Sequence, residues 1–471
     1  MPPYLPLCAP CRRIPRGLAS LLVAVLFLLS PTVTYAQTAP PPAFQPVVRW
    51  FFAEGSTQPP FETWFVVLNP TNQSANLRFT FQLQGGGTVT HDFTVGPRAR
   101  FSLWANPILP NQAFSTRLDA DQLVYAERSM YVGFDGTVVP GVPSPHRLWL
   151  FAEGSTQPPF HTWLLLQNPN DQPATATLTY LRDTGGPVTQ TVALPPTARV
   201  SIFVNQVLPN AAFSTRIESD LPIVAERAMY RFPGNAALAK AGVTAPSRTW
   251  FFAEGRTTGP YLPSPRPGPV DTWLLLQNPH PQPVRVRVTV FSAEDRAPMP
   301  LFFTLPPQSR RSFFLNHLIG DGFASFGMRV EAEAEIVAER SIFWGPEPRG
   351  AYSAVGAPAL ATTWYLAEGT ELPYQGAELP FPTFIHILNP NDRPAEGTID
   401  FLLQDGQVIT RSFGVRPQRK WSLSVRDYLR HDLYGVSAVV KTSVPTVVER
   451  TMFIRDQERV GAHNTVGIPH P

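Results

Sequence analysis

Trp149-Leu-Phe-Ala-Glu-Gly154, followed shortly by Thr162-Trp-Leu-Leu-Leu-Gln-Asn-Pro169, is the stretch that decides the fold. It recurs as Trp50–Gly55 with Thr63–Pro70, as Trp250–Gly255 with Thr272–Pro279, and as Trp364–Gly369 with Thr383–Pro390. The copies stand about 100 residues apart, the size of a small domain and well beyond the period of solenoids or propellers. A second marker keeps pace: Glu127-Arg128, Glu226-Arg227, Glu339-Arg340 and Glu449-Arg450. One module is therefore used four times, and the modules read as complete domains strung in series.

The second module gives the clearest local reading. Arg147–Phe151 and Thr162–Gln167 are short strands, the latter stopped by Asn168-Pro169 because proline has no N–H for a ladder. Ala174–Leu181 alternates Thr175, Thr177 and Thr179 with Ala176, Leu178 and Tyr180, the period of a half-buried strand. Val188–Leu194, Arg199–Val204, Phe213–Glu218 and Ile223–Tyr230 follow, parted by Gly- and Pro-bearing turns. Asn205–Leu208 reads as one helical turn capped by Asn205. Seven or eight short strands with almost no helical period predict an antiparallel β-sandwich. The fold class expected is all-β: four tandem β-sandwich modules, spanning residues 48–146, 147–247, 248–361 and 362–471. Trp163–Leu166 and Trp273–Leu276 are apolar on both faces. Such a strand is either central and covered by loops, or packed on another module or chain.

Residues 1–36 read as a secretory signal. Arg12, Arg13 and Arg16 precede the apolar run Gly17–Leu29, and Thr34-Tyr35-Ala36 supplies small residues before a cut. That run is too short to cross about 30 Å of hydrocarbon, so no membrane span is expected in the mature chain, which is read as secreted or held at the cell surface. Residues 37–47 form a Pro- and Ala-rich linker. The net charge of +3 belongs to the leader, which holds three arginines and no acid. The remainder is near neutral, with no basic patch of the kind nucleic acid requires. Both cysteines, Cys8 and Cys11, also lie in the leader. Disulfides, a thiolate nucleophile and a cysteine zinc site are thereby excluded from the mature chain.

The recurring Glu54, Glu153, Glu254 and Glu368 each have a recurring companion: Arg128, Arg227, Arg340 and Arg450. A structural ion pair pinning the first strand of a module to its last accounts for both. A second arginine precedes the companion at Arg117, Arg216 and Arg329, with Val439 in the fourth module. Catalysis fits poorly. No second acid recurs beside the first, and His91, His161, His280, His317, His386 and His431 have no counterparts in the other copies. No nucleophile elbow, zinc-protease motif or phosphate loop occurs. An enzyme is not expected, nor any cofactor or metal. Repetition suits binding instead, because several weak sites on one chain multiply avidity. Aromatic candidates for a ligand surface are Tyr261 and Tyr374, in long loops particular to the third and fourth modules, with Trp104 and Trp421 elsewhere.

The order Ala152-Glu-Gly154, Thr162–Asn168, Pro195-Pro-Thr-Ala-Arg199, Asn205–Leu208, Phe213–Ser219 and Pro222-Ile-Val224 resembles the sensory rhodopsin transducer family. The resemblance extends over nearly all of the mature chain. It implies a small β-sandwich likened to carbohydrate-binding domains, and self-association. The known transducer is intracellular, whereas this chain carries an export signal and four copies. The reading that results is a secreted, non-enzymatic repeat protein in cell-surface adhesion or carbohydrate binding, with a polysaccharide or surface glycan as partner. The alternatives are a spacer or self-assembling surface protein, and the accessory binding chain of a secreted hydrolase.

Overall fold

The computed structural model describes residues 44–470 except 134, 184, 232–235, 258–269, 321–322, 345–349, 371–380, 430–434 and 456–459. The expected signal segment 1–36, most of the expected linker 37–47, and the residues Tyr261 and Tyr374 lie outside the described residues. Among the described residues strand accounts for 67% and helix for 3%, so the protein is all-β.

The first repeat contains β1 (Val48–Phe52), β2 (Phe61–Asn69), β3 (Ala75–Leu83), β4 (Thr88–Val95), β5 (Ala99–Trp104), β6 (Phe114–Ala120), β7 (Tyr125–Val132) and β8 (Asp135–Pro140). They form two antiparallel sheets, ordered β1-β6-β3-β4 and β5-β2-β7-β8. Alternation along β3 turns Leu77, Phe79 and Phe81 inward, where they meet Phe65 and Phe114.

The repeated motif closes each sandwich. The indole N–H of Trp50 donates to the Val124 carbonyl at 2.9 Å, and Trp149, Trp250 and Trp364 donate to Ile223, Ile336 and Thr446. The indoles are buried, so each N–H must find such a partner. The glycine ending the motif is there for space. A Cβ at Gly55, Gly154 or Gly255 would enter the ring of Phe114, Phe213 or Phe326, and at Gly369 it would strike the Val436 carbonyl.

Three differences from the sequence reading matter. First, the strands expected at Phe213–Glu218 and Ile223–Tyr230 are one strand, Phe213–Arg231. Its register slips between Glu218 and Ile223, where Pro222 cannot donate to the ladder. Phe326–Trp344 and Val436–Arg455 run on in the same way. Second, Asn205 does not cap its turn, Val204–Val207. Its side chain accepts the Thr162 N–H at 2.9 Å and donates to the Phe160 carbonyl, latching the turn onto the neighbouring strand. Third, Ala236–Ala241 is a strand. It has no alternation and no β-branched residue, which hid it in the sequence. Its counterparts are β8, Gly350–Val355 and Val460–Val466.

Those four edge strands contact one another in a cycle: β8 on Ala236–Ala241, that on Gly350–Val355, that on Val460–Val466, and the last on β8 again. The repeats are thus not a linear string, and within Gln45–Pro471 they form one contact unit. The doubly apolar strands explain the closure. Leu165 shares a core cluster with Phe51 and Ala53 of the preceding repeat, and Leu275 with Leu150 and Ala152. Their second face is therefore a seam between repeats. At the closing seam Tyr125 and Tyr365 stack with centroids 3.8 Å apart.

Candidate functional site

Each seam is organised by one arginine. Arg128 Nη1 donates to Glu226 Oε2 of the next repeat at 2.8 Å and to the backbone carbonyl of Glu54. Arg227 treats Glu339 and Glu153 alike, Arg340 treats Glu449 and Glu254 alike, and Arg450 treats Glu127 and Glu368 alike. The inter-repeat bond is 2.8 Å in all four seams, the last of which joins the fourth repeat to the first. The other oxygen of each second glutamate accepts a backbone N–H, from Ala53, Ala152, Ala253 or Ala367.

The carboxylates of the Ala-Glu-Gly motif vary more. Glu54 and Glu153 meet Arg128 and Arg227 at 3.0 and 2.9 Å. Arg340 and Arg450 reach Glu254 and Glu368 only through their backbone carbonyls. The Glu254 carboxylate is held by Lys420 and faces His386, while Glu368 is bound by Arg100 and Ser129 of the first repeat. The expected pair within each repeat is therefore a side-chain contact in the first two and a backbone contact in the last two.

A second base, absent from the candidates read in the sequence, completes each seam: Arg199, Arg310, Lys420 and Arg100, all buried. Arg199 donates to the Gly55 and Phe114 carbonyls, and Arg310 lies 3.5 Å from Asp183. Every seam thus buries two acids and two bases. The signal was present as Pro-x-x-base in all four copies, from Pro97 to Arg100, Pro196 to Arg199, Pro307 to Arg310 and Pro417 to Lys420. Residues inside those turns, Arg98, Thr197, Gln308 and Gln418, are left-handed, and the base is the second residue of the strand that follows in every copy.

Burial raises the Glu54 and Glu153 carboxyls; Arg128 and Arg227 oppose the shift, and the second glutamate of each seam adds to it. At Glu254 burial acts the same way, but His386, Lys420 and Arg256 outweigh it and hold the group at about 2. Burial also holds His386 neutral, with its pKa lowered to about 3.

The second arginines, Arg117, Arg216 and Arg329, are partly exposed and pair with Asp119, Glu218 and Glu331, of which Asp119 is buried. Trp104 is 42% exposed and stacks on Trp64 at 5.7 Å and 12°. Trp421 is half-buried against Phe413. The Trp64–Trp104 pair has equivalents at the same register: Trp163–Phe203 at 4.7 Å and Trp273–Phe314 at 4.9 Å, all four of these residues partly exposed. His161 and His317 stand edge-on to the two phenylalanines. The fourth repeat has Phe384 and Ser424 instead, with Phe384 turned onto Phe453. No cluster of three metal-ligating side chains occurs among the described residues, and none of their helices is long and apolar enough to cross a membrane.

No family model matches the chain, so the resemblance to the sensory rhodopsin transducer family has no such support, and no curated protein matches it in sequence. Among solved structures it is similar to one titled Thermotoga maritima 1070, at 18% identity and a TM-score of 0.22, over 23% of this chain and 95% of that one. It is also similar to a tetra-tandem repeat in the extending region of a large adhesion protein, at 9% identity and a TM-score of 0.11, over 84% of this chain and 92% of that one. Both likenesses are too loose to argue from.

Proposed function

We propose that the chain is an exported, non-enzymatic binding protein that holds polysaccharide or surface glycan in adhesion. The observation that carries this reading is the recurring half-exposed aromatic pair at Trp64–Trp104, Trp163–Phe203 and Trp273–Phe314. Flat apolar rings beside polar groups suit the apolar face of a pyranose, and three such places on one ring of repeats favour a polymeric ligand through avidity. The recurring carboxylates support the non-enzymatic part of the reading. Glu54, Glu153, Glu254 and Glu368 are buried in ion pairs and hydrogen bonds, where no substrate meets them. The leader supports export.

The test is retention of the purified chain on insoluble polysaccharides such as cellulose, chitin and peptidoglycan. Wild type is expected to be retained, and a chain carrying Trp64→Ala, Trp104→Ala, Trp163→Ala and Trp273→Ala together to elute freely with an unchanged circular dichroism spectrum. Equal retention of the two would overturn the reading. A self-assembling surface role has one observation in its favour: Phe302 is 73% exposed on an edge strand, Met299–Leu305. Light scattering on wild type and Phe302→Lys decides it, since a monomer in both removes the idea.

A further inference from the structure

The cycle of edge strands contains a group that the seams do not use. Asp135 opens β8 and is 1% exposed. One of its carboxyl oxygens accepts the N–H groups of Gly136 and Ala462, and the other that of Ala237, each at 2.9 Å. The Ala351 N–H is directed to the same carboxyl. Gly136, Ala237, Ala351 and Ala462 are one position in four repeats. They lie opposite Tyr131, Tyr230, Phe343 and Phe453, which all stand four residues after the glutamate of the Glu-Arg marker. Each repeat therefore contributes the same N–H from the outer edge of a sheet, where it has no ladder partner. Four donors converging on one point form a concavity that suits an anion.

The acid stands alone at its own position. Its equivalents are Ala236, Gly350 and Gly461. Four carboxyls would repel one another at a single point, so one acid and three small residues is the arrangement that fits. Burial leaves the Asp135 carboxyl well above its ordinary range, although the N–H groups of Ala237, Gly136, Ala462 and Ala351 act against the shift.

We propose that the meeting point of the four edge strands is a binding nest for a small carboxylate, built jointly by the four repeats and filled in this chain by Asp135. Asp135→Ala, which copies Ala236, empties the nest without adding bulk. The expected result is a melting temperature several degrees lower in a buffer free of small carboxylates. Titrated formate should restore at least half of that loss along a saturable curve, and should leave wild type unmoved. A parallel formate response in variant and wild type would be a general salt effect and would overturn the proposal. Should the variant not fold, hydrogen exchange on the intact protein serves instead. The amides of residues 136, 237, 351 and 462 are expected to exchange as slowly as those paired inside the sheets. Exchange at the rate of open edge-strand amides would overturn the proposal as well. Neither measurement involves a glycan, so failure here is separate from failure of the binding role.

Discussion

The seam between the first two repeats and the seam between the last two perform one task with different partners. In the former, Arg128 holds both Glu54 and Glu226, and Arg199 remains on backbone carbonyls. In the latter, Arg340 keeps Glu449 but turns its other nitrogen to Asn464, and Lys420 takes Glu254. His386 there occupies the position held by Leu165 and Leu275 elsewhere. The bond that never changes is the one between repeats. The bond within a repeat can be exchanged, provided the buried charges still balance. A buried pair gives little net stability against a well-packed apolar alternative, yet leaving one member alone is costly. What the four seams share is therefore the inter-repeat bond and the buried charge count.

That comparison can be broken at the closing seam first. Glu127→Gln removes the carboxylate that Arg450 grips from 323 residues away. It should cost about 3–5 kcal/mol in denaturant unfolding, as Glu449→Gln should at the seam of the last two repeats, because both leave a buried arginine without a carboxylate partner. A small effect for Glu127→Gln alone would mean that the cycle is open in solution. The second bases should then separate the two kinds of seam. Lys420→Met leaves Glu254 without its ion-pair partner and is expected to cost about 3–5 kcal/mol. Arg199→Met strands only two carbonyls, at about 1–3 kcal/mol. Equal losses would show that the long-range field of the base matters more than its contacts.

His386→Leu copies Leu165 and Leu275 of the first two seams and is read through pH. Burial lowers the folded-state pKa of His386 to about 3, below that of the unfolded chain. Its contribution is therefore complete above the unfolded value near 6.5 and is lost as acid protonates the unfolded state. Between pH 6 and 3 wild type should lose about 1.4 kcal/mol per pH unit more than the variant. Parallel stability curves would show His386 to be charged or exposed. The smallest effect belongs to the surface. Trp104→Ala should stay within about 0.5 kcal/mol of wild type while weakening retention on polysaccharide, because the ring is partly in water and packs on one neighbour.

Much of the fold could be read from local pattern. Alternation in Ala174–Leu181, the turn at Asp183–Pro187 and the proline stops placed the strands because those signals are set by neighbours in the chain. Ala236–Ala241 escaped because both of its faces are covered by other repeats, so it carries no polar period. The candidate pairs were visible as recurring Glu and Arg, but recurrence does not say whether a partner lies in the same copy or the next. Arg199 and its equivalents were visible too, as a base at a fixed offset from proline, and stayed unassigned because one sequence does not tell a buried cation from a solvated one.

By itself, then, the amino-acid order determined the repeat, the strand content and the absence of cysteine beyond Cys11, all of which follow from composition and short-range geometry. Tertiary structure alone decided that the repeats close on one another, which glutamate each arginine grips, and that Asp135 meets N–H groups from all four. Those contacts join residues about 100 to 300 positions apart, and burial at such separations comes from the packing of whole sheets rather than from any local preference of the chain.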